Sequence, residues 1–286
     1  MSNVYHYCSA ETFLNIIKYK KLWLGDPQHM NDFMEMKWFM NVFDEVITSE
    51  MSEQGYKQIH AELIKNFNLT RRYICCLSES GDILSQWRSY AQDGTGVAIG
   101  FDPEELNVRH YEFFSQNINV RNSFFLNKVS YLSKESVREE ILEILLSDQE
   151  VNEFFALNTN SFNTLDKNMQ DRIINLMRKL LHLSIHLKNP AFSEEKEVRL
   201  VYNHMPSHHN NEKYHIKHYA NFIKSKNYRI SNGNLTSYYE FPLLKGCIKE
   251  IILGPKNKFS EDEVREFLKM HSLSKVEVDR SKASYR

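Results

Sequence analysis

A chain of 286 residues with 42% apolar and 26% charged side chains has material for one large domain, and its 9 glycines and 6 prolines leave little for long disordered linkers. A formal net charge of −1 supplies no global basic field announcing a nucleic-acid or membrane partner. The 4 cysteines, at positions 8, 75, 76 and 247, contain no CxxC pair, which argues against a disulfide framework and a structural zinc site.

Residues 4–8, "VYHYC", predict a short strand. Ser9 follows as an N-cap, with Thr12 where a capping box places Glu or Gln, and Phe13, Leu14, Ile16 and Ile17 give an amphipathic helix. "KKLWLGDP" at 20–27 predicts a second strand stopped by Asp-Pro. Residues 33–67 read as helical with a break near Gly55, because Phe39, Val42, Phe43, Val46 and Ile47 recur three and four apart. The continuous apolar run Tyr73 to Leu77 predicts a buried strand over 71–80. After a turn at "DGTG" (93–96), "VAIGFD" (97–102) is another strand, and Glu104 and Glu105 suit the first turn of a short helix.

Farther along, "NKVSYLS" (127–133) predicts a strand, and 135–186 predicts helices broken near 155–165 with a stripe of Leu176, Leu180, Leu183 and Leu187. "EEKEVRLVYN" (194–203) alternates charged and apolar residues, the pattern of a half-exposed strand. Strands over 237–243 and 248–255 follow, then a capping box of Ser260 and Glu263 opening a helix at 261–270, and an edge strand at 274–279. The expectation is an α+β fold with a mixed or antiparallel sheet, forming a single domain over 1–286 with a helical insertion at 134–186. That insertion suits an internal core or contacts in a homo-oligomer. No signal pattern and no run of 18 apolar residues appears, so a cytoplasmic protein without membrane partners is expected.

Four stretches carry candidate chemistry. His6 lies mid-strand and is either a core histidine bonded to backbone or, directly before a helix N-terminus able to hold an anion, a binding residue. Asn31 and Asp32, in "DPQHMNDFME", either cap a helix or edge a pocket. In "LSQWRSYAQDGTGVAIGFD" (84–102), Arg88 offers a fork to phosphate or carboxylate, Trp87 and Tyr90 offer rings for stacking, and the Gly-rich turn allows close backbone approach to a ligand. The alternative is a hairpin turn over a buried Trp. Glu195, Glu197 and Arg199 fall on one face of an alternating strand, where two carboxylates orient a hydroxyl, stabilise a cation or act as a base, or simply solubilise the surface. Arg199 is also placed to ion-pair with Glu197. No P-loop, GxGxxG, HExxH or GxSxG motif is present, and no metal is expected at His204, His208, His209 and His215. The Lys213–Lys226 stretch is either a solvated face or a local nucleic-acid patch.

These stretches resemble a bacterial family, domain of unknown function 2971, through "YHYCSAETFLNIIKYKKLWLGDPQHMNDFME", "CLSESGDILSQWRSYAQDGTGVAIGFD", "NPAFSEEKEVRLVY" and "IKEIILGP" in order. More distantly, the opening strand, helix and strand are similar to the start of ADP-ribosyltransferase folds, which implies a split sheet and NAD as substrate. The resemblance implies that His6 holds the ribose and that Ser9, Asn31, Trp87, Arg88 and Tyr90 help to bind the cofactor, Tyr90 by stacking on nicotinamide. Glu197 would be the catalytic carboxylate with Glu195 as its Glu-x-Glu partner. It further implies an NAD-consuming transferase or glycohydrolase, in phage defence or as a toxin, with a nucleic-acid or protein acceptor. The alternative is a module that binds a nucleotide or nucleic acid without turnover.

Overall fold

The computed structural model of the chain describes residues 2–27, 33–50, 52–69, 71–106, 124–157, 162–204, 225–231 and 233–285. Strand β1 (Val4–Cys8) leads into helix α1 (Ala10–Tyr19), capped by the Ser9 hydroxyl, which accepts from the Thr12 N–H at 3.0 Å. Lys20, in the left-handed conformation at φ 54°, ends the helix and turns the chain into β2 (Lys21–Gly25). Two helices follow, α2 (Phe33–Glu50) and α3 (Glu53–Leu69), so the break falls just before residue 53 and Gly55 sits inside the first turn of α3.

Then come β3 (Arg71–Ser78), α4 (Leu84–Tyr90) and β4 (Val97–Phe101). Residues 103–106 form a turn, and the rest of the helix expected there lies outside the described residues. The strand expected at 127–133 is two pieces, β5 (Phe124–Lys128) and β6 (Ser130–Tyr131). Helices α5 (Lys134–Leu146), α6 (Gln149–Leu157) and α7 (Lys167–His186) lead to β7 (Leu187–Lys188), a 3-10 turn (Pro190–Glu195) and β8 (Glu197–His204). The chain closes with β9 (Asn227–Ser231), β10 (Asn234–Pro242), β11 (Ile248–Leu253), α8 (Glu261–Met270) and β12 (Glu277–Arg280). Ser260 is the N-cap of α8, but its side chain makes no cap hydrogen bond, so the expected capping box is not formed.

The fold is α+β, and its main sheet is mixed but mostly antiparallel: among its described strands only β11 and β12 run parallel. Along one line the strand order is β12-β11-β4-β1-β3-β2-β10-β9, while β8 pairs with β3 and β5. This topology forks. β8 pairs with every residue of β3 from Arg71 to Ser78 and so occupies one edge of that strand. The other edge is shared: β1 joins it at Tyr5↔Ser78 and β2 at Gly25↔Ile74. A strand has only two edges, so β1 and β2 must diverge from β3, leaving the backbone of Cys75, Cys76 and Leu77 at the crotch.

Two apolar cores flank this sheet. One joins β1, β3, β4, β8, β11, α1 and α8 through residues such as Phe13, Ile17, Leu200 and Leu268. The other is helical and draws on Phe39, Val46 and Leu63 of α2 and α3 as well as Ile141, Leu176 and Leu180 of α5 and α7. The 134–186 helices therefore complete a layer that α2 and α3 begin. β8 departs from expectation: its first six residues are all buried, including Glu197 and Arg199, whose side chains turn inward.

The glycines of the "DGTG" turn admit protein backbone. A Cβ on Gly96 would stand 2.2 Å from the Cys8 carbonyl oxygen, and one on Gly254 would stand 2.4 Å from that of Gly94. Side chains are excluded there so that the turn can bond the end of β11, with Gly254 N donating to Gly96 O at 3.1 Å and Lys256 N to Gly94 O at 2.9 Å. No helix among the described residues is long and apolar enough to cross a membrane.

Candidate functional site

A cavity of 590 Å³ fills the fork, within the range of small-molecule sites. β1 contributes His6, β3 contributes Cys75 and Cys76 as a floor, α4 contributes Gln86 and Tyr90, and Glu195 and Glu197 close one side. β2 and β9 form the opposite wall with Trp23 and Arg229.

The carboxylates meet because the backbone switches conformation between them. Glu195 ends the 3-10 turn, Lys196 takes the left-handed conformation at φ 46°, and Glu197 begins β8. Glu195 is thus not on the strand, yet its carboxylate still reaches the same place. Ser78 anchors the turn by donating its hydroxyl to the Glu195 carbonyl at 2.7 Å. Lys188 lies between the two acids, its ammonium 2.6 Å from Glu195 Oε2 and 3.0 Å from Glu197 Oε2. Arg199 donates Nε to Glu197 Oε1 at 2.8 Å and a terminal nitrogen to Oε2 at 3.2 Å, while its other terminal nitrogen donates to the Ile185 carbonyl at 2.5 Å. The Glu197 side chain is 4% exposed and that of Glu195 is 12% exposed.

Burial pushes the Glu197 carboxyl up, but the Arg199 guanidinium, the Lys188 ammonium and a hydrogen bond from the Cys76 thiol outweigh it and hold the pKa down to about 2. Glu197 is an anion at neutral pH. Tyr131 fixes its backbone by accepting the Glu197 N–H at 2.7 Å.

His6 Nδ1 lies 3.1 Å from the Cys76 carbonyl, and burial pushes its imidazole below the usual value, with that carbonyl acting in the opposite direction. A neutral ring whose Nδ1 faces a carbonyl must carry its proton there. Nε2 is left as an acceptor suited to a hydroxyl.

α4 is a helix, and its geometry separates residues that a linear reading groups together. Gln86 and Tyr90, four apart, share the face that lines the cleft. Trp87 points to the core, fully buried, donating Nε1 to Asp82 at 2.7 Å and meeting Tyr7 edge-on at 4.8 Å. Arg88 points away, 5.8 Å from the Tyr285 ring centroid. Neither Trp87 nor Arg88 lines the cleft, and Ser9 is committed to its cap. Asn31 and Asp32 lie outside the described residues, as do His208, His209, His215 and the basic stretch up to Lys224. The described residues contain no group of three or more His, Cys, Asp or Glu that could hold a metal.

Sequence reasoning missed Lys188, Gln86, Trp23 and Arg229. Lys188 carries only a weak signal, a lone cation in the two-residue strand just beyond α7. Arg229 sits in "NYRIS", whose alternation is legible as a strand but which follows a Lys- and His-rich run that dominates the local composition.

Residues 86–200 match the family model described as protein of unknown function (DUF2971). That segment holds most of α4, the start of β8, and Glu195 and Glu197, and the match supports the resemblance carried by those motifs. No curated protein and no solved structure matches the chain.

Proposed function

We propose that the cleft binds NAD and breaks its nicotinamide–ribose bond, passing ADP-ribose to water or to a macromolecular acceptor, in the manner of the ADP-ribosyltransferases that the N-terminal strands resemble. One observation carries this reading: His6, Tyr90, Glu195 and Glu197, which come from four separate elements, converge on one cavity. In such a reaction the C–N bond breaks with its electron pair leaving on nicotinamide, and positive charge develops over the sugar. Tyr90 stacks on the leaving ring, the His6 Nε2 acceptor receives a ribose hydroxyl, and the ionised acids stabilise the cationic sugar.

The cations around these acids favour a second reading. Lys188 and Arg199 balance the two carboxylates charge for charge, a constellation equally suited to orienting ribose hydroxyls in a module that binds a nucleotide without turnover.

One experiment separates the two. The chain is incubated with NAD, with and without cellular macromolecules, and nicotinamide release is measured beside ADP-ribose binding. Release that falls at least a hundredfold in Glu197→Gln, with ADP-ribose binding retained, supports transfer. Binding without release supports the second reading. Glu197→Gln leaves two buried cations short of a partner and is expected to cost about 3–5 kcal/mol. Glu195→Gln, which disturbs the better-exposed acid, is the companion variant if the first does not fold.

A further inference from the structure

We infer that Arg229 is the anion anchor of the cleft and holds the phosphate of its ligand; this rests on the nucleotide reading above and names the group by which the nucleotide is gripped. β9 pairs with β10 through Thr236↔Arg229, and along β9 the residues alternate between part-buried and exposed. Arg229 and Ser231 share the inner face and line the cavity, while Tyr228 and Ile230 point out.

The guanidinium is fixed over aromatic surface. Its carbon lies 5.5 Å from the Trp23 ring centroid and 6.0 Å from that of Tyr238, and those rings are themselves 4.4 Å apart. A terminal nitrogen reaches across β2 to within 3.5 Å of where a Cβ on Gly25 would stand. From there its charge acts on the Cys75 thiol in the floor, lowering a pKa that burial has raised. The guanidinium lies over these two rings, and Arg229 lines the cleft.

What it lacks among the described residues is a counter-charge. Among the described residues no carboxylate stands within ion-pair distance of Arg229, and its Nε is buried without a hydrogen-bond partner. The neighbouring cation differs: Lys21 is held by Glu240 at 2.5 Å. At the other side of the cleft, Lys188 and Arg199 are matched by acids. A guanidinium whose Nε is buried without a partner carries a cost that is offset when a ligand supplies the anion. Phosphate fits the planar fork of Arg bidentately, and the Ser231 hydroxyl stands on the same strand face to add a donor.

Calorimetric titration of the full chain with ADP-ribose and with inorganic pyrophosphate tests this. Arg229→Met, which keeps a stem to lie on Trp23, is compared with Arg229→Lys and with Lys256→Met as a cation removed elsewhere. The expected result is that Arg229→Met weakens both probes at least tenfold, Arg229→Lys recovers part of the loss, and Lys256→Met leaves binding unchanged. Wild type that binds neither probe overturns the inference, as do an Arg229→Met affinity equal to wild type and a Lys256→Met loss as large as that of Arg229→Met. Binding through Arg229 without nicotinamide release from NAD would leave the anchor standing and remove the transferase reading. NAD cleavage indifferent to Arg229→Met would do the reverse.

Discussion

His186, packed 4.2 Å from the His182 ring, shows how a buried side chain makes the stability of this fold pH-dependent. Its Nδ1 pairs with the His182 carbonyl at 2.9 Å, its Nε2 is buried without a partner, and it packs against Phe125 at 5.8 Å between centroids. Burial pushes its pKa from 6.5 down to about 4, against the pull of that carbonyl and aided by the nearby Arg199 and Arg72 charges. In the unfolded chain the imidazole takes up its proton near 6.5, whereas the folded protein resists until about 4. Within that window the unfolded state binds more protons, so stability falls as pH drops through it and is untouched above it. Replacing His186 with Phe removes the titration and loses only the Nδ1 bond. Denaturant midpoints of His186→Phe are therefore expected to fall less steeply between pH 6.5 and 4 than those of wild type. Parallel curves for the two proteins would show that the low-pH loss originates elsewhere.

At the scale of elements, the short helix α4 decides which residues the cleft receives, and its own position depends on Asp82. That carboxylate accepts from Trp87 Nε1 at 2.7 Å, from the Ser281 hydroxyl at 2.5 Å and from the Lys282 N–H at 2.7 Å. The C-terminal segment is thereby tied to the helix that carries Gln86 and Tyr90. Tyr285 adds a second tie, donating to Asp93 at 2.5 Å under the Lys256 ammonium. Asp82→Ala leaves a fully buried indole N–H unpaired and releases the tail, which should cost about 2–4 kcal/mol. Amide exchange of residues 281–285 is expected to accelerate in this variant, and unchanged protection there would refute the tie.

Of this, only the burial of Trp87 was legible in the linear sequence, as one of two alternatives. The helix start is unmarked, since Ile83 caps α4 without a side-chain bond, so the Trp, Arg and Tyr read as one wall instead of three directions around a helix. Elements with local signals fared better: β1, α1 and β3 lie close to where apolar spacing and the Ser9 cap placed them. β8 was located but its exposure was misjudged, because alternation reports period and not what covers each face. The partner that draws Glu197 inward includes Lys188, nine residues upstream across a turn, a pairing that no periodicity encodes.

For the molecule as a whole, the fork of the sheet puts the cleft in one core while the second core lies in the helical layer, and the contact between them is specific. Arg199 ties β8 to the end of α7 through the Ile185 carbonyl, and Lys188, just beyond that helix, holds the two cleft acids. The apolar residues of α2, α3, α5 and α6 form a cluster that contains no cleft-lining residue. Among the described residues, a ligand in the fork therefore acts directly on elements that include β1, β2, β9 and α4, and on the helical layer through the last turn of α7. ADP-ribose at about a hundred times its dissociation constant should stabilise the native state by about 2.7 kcal/mol. Hydrogen exchange with and without ADP-ribose is expected to show that gain in amides that open locally along β1, β2, β9, α4 and residues 184–188. The cores of α3, α5 and α6 should exchange as before. An equal gain across every helix would mean that the two cores open as one unit. A gain that bypassed 184–188 would mean that the buried charge cluster does not couple them.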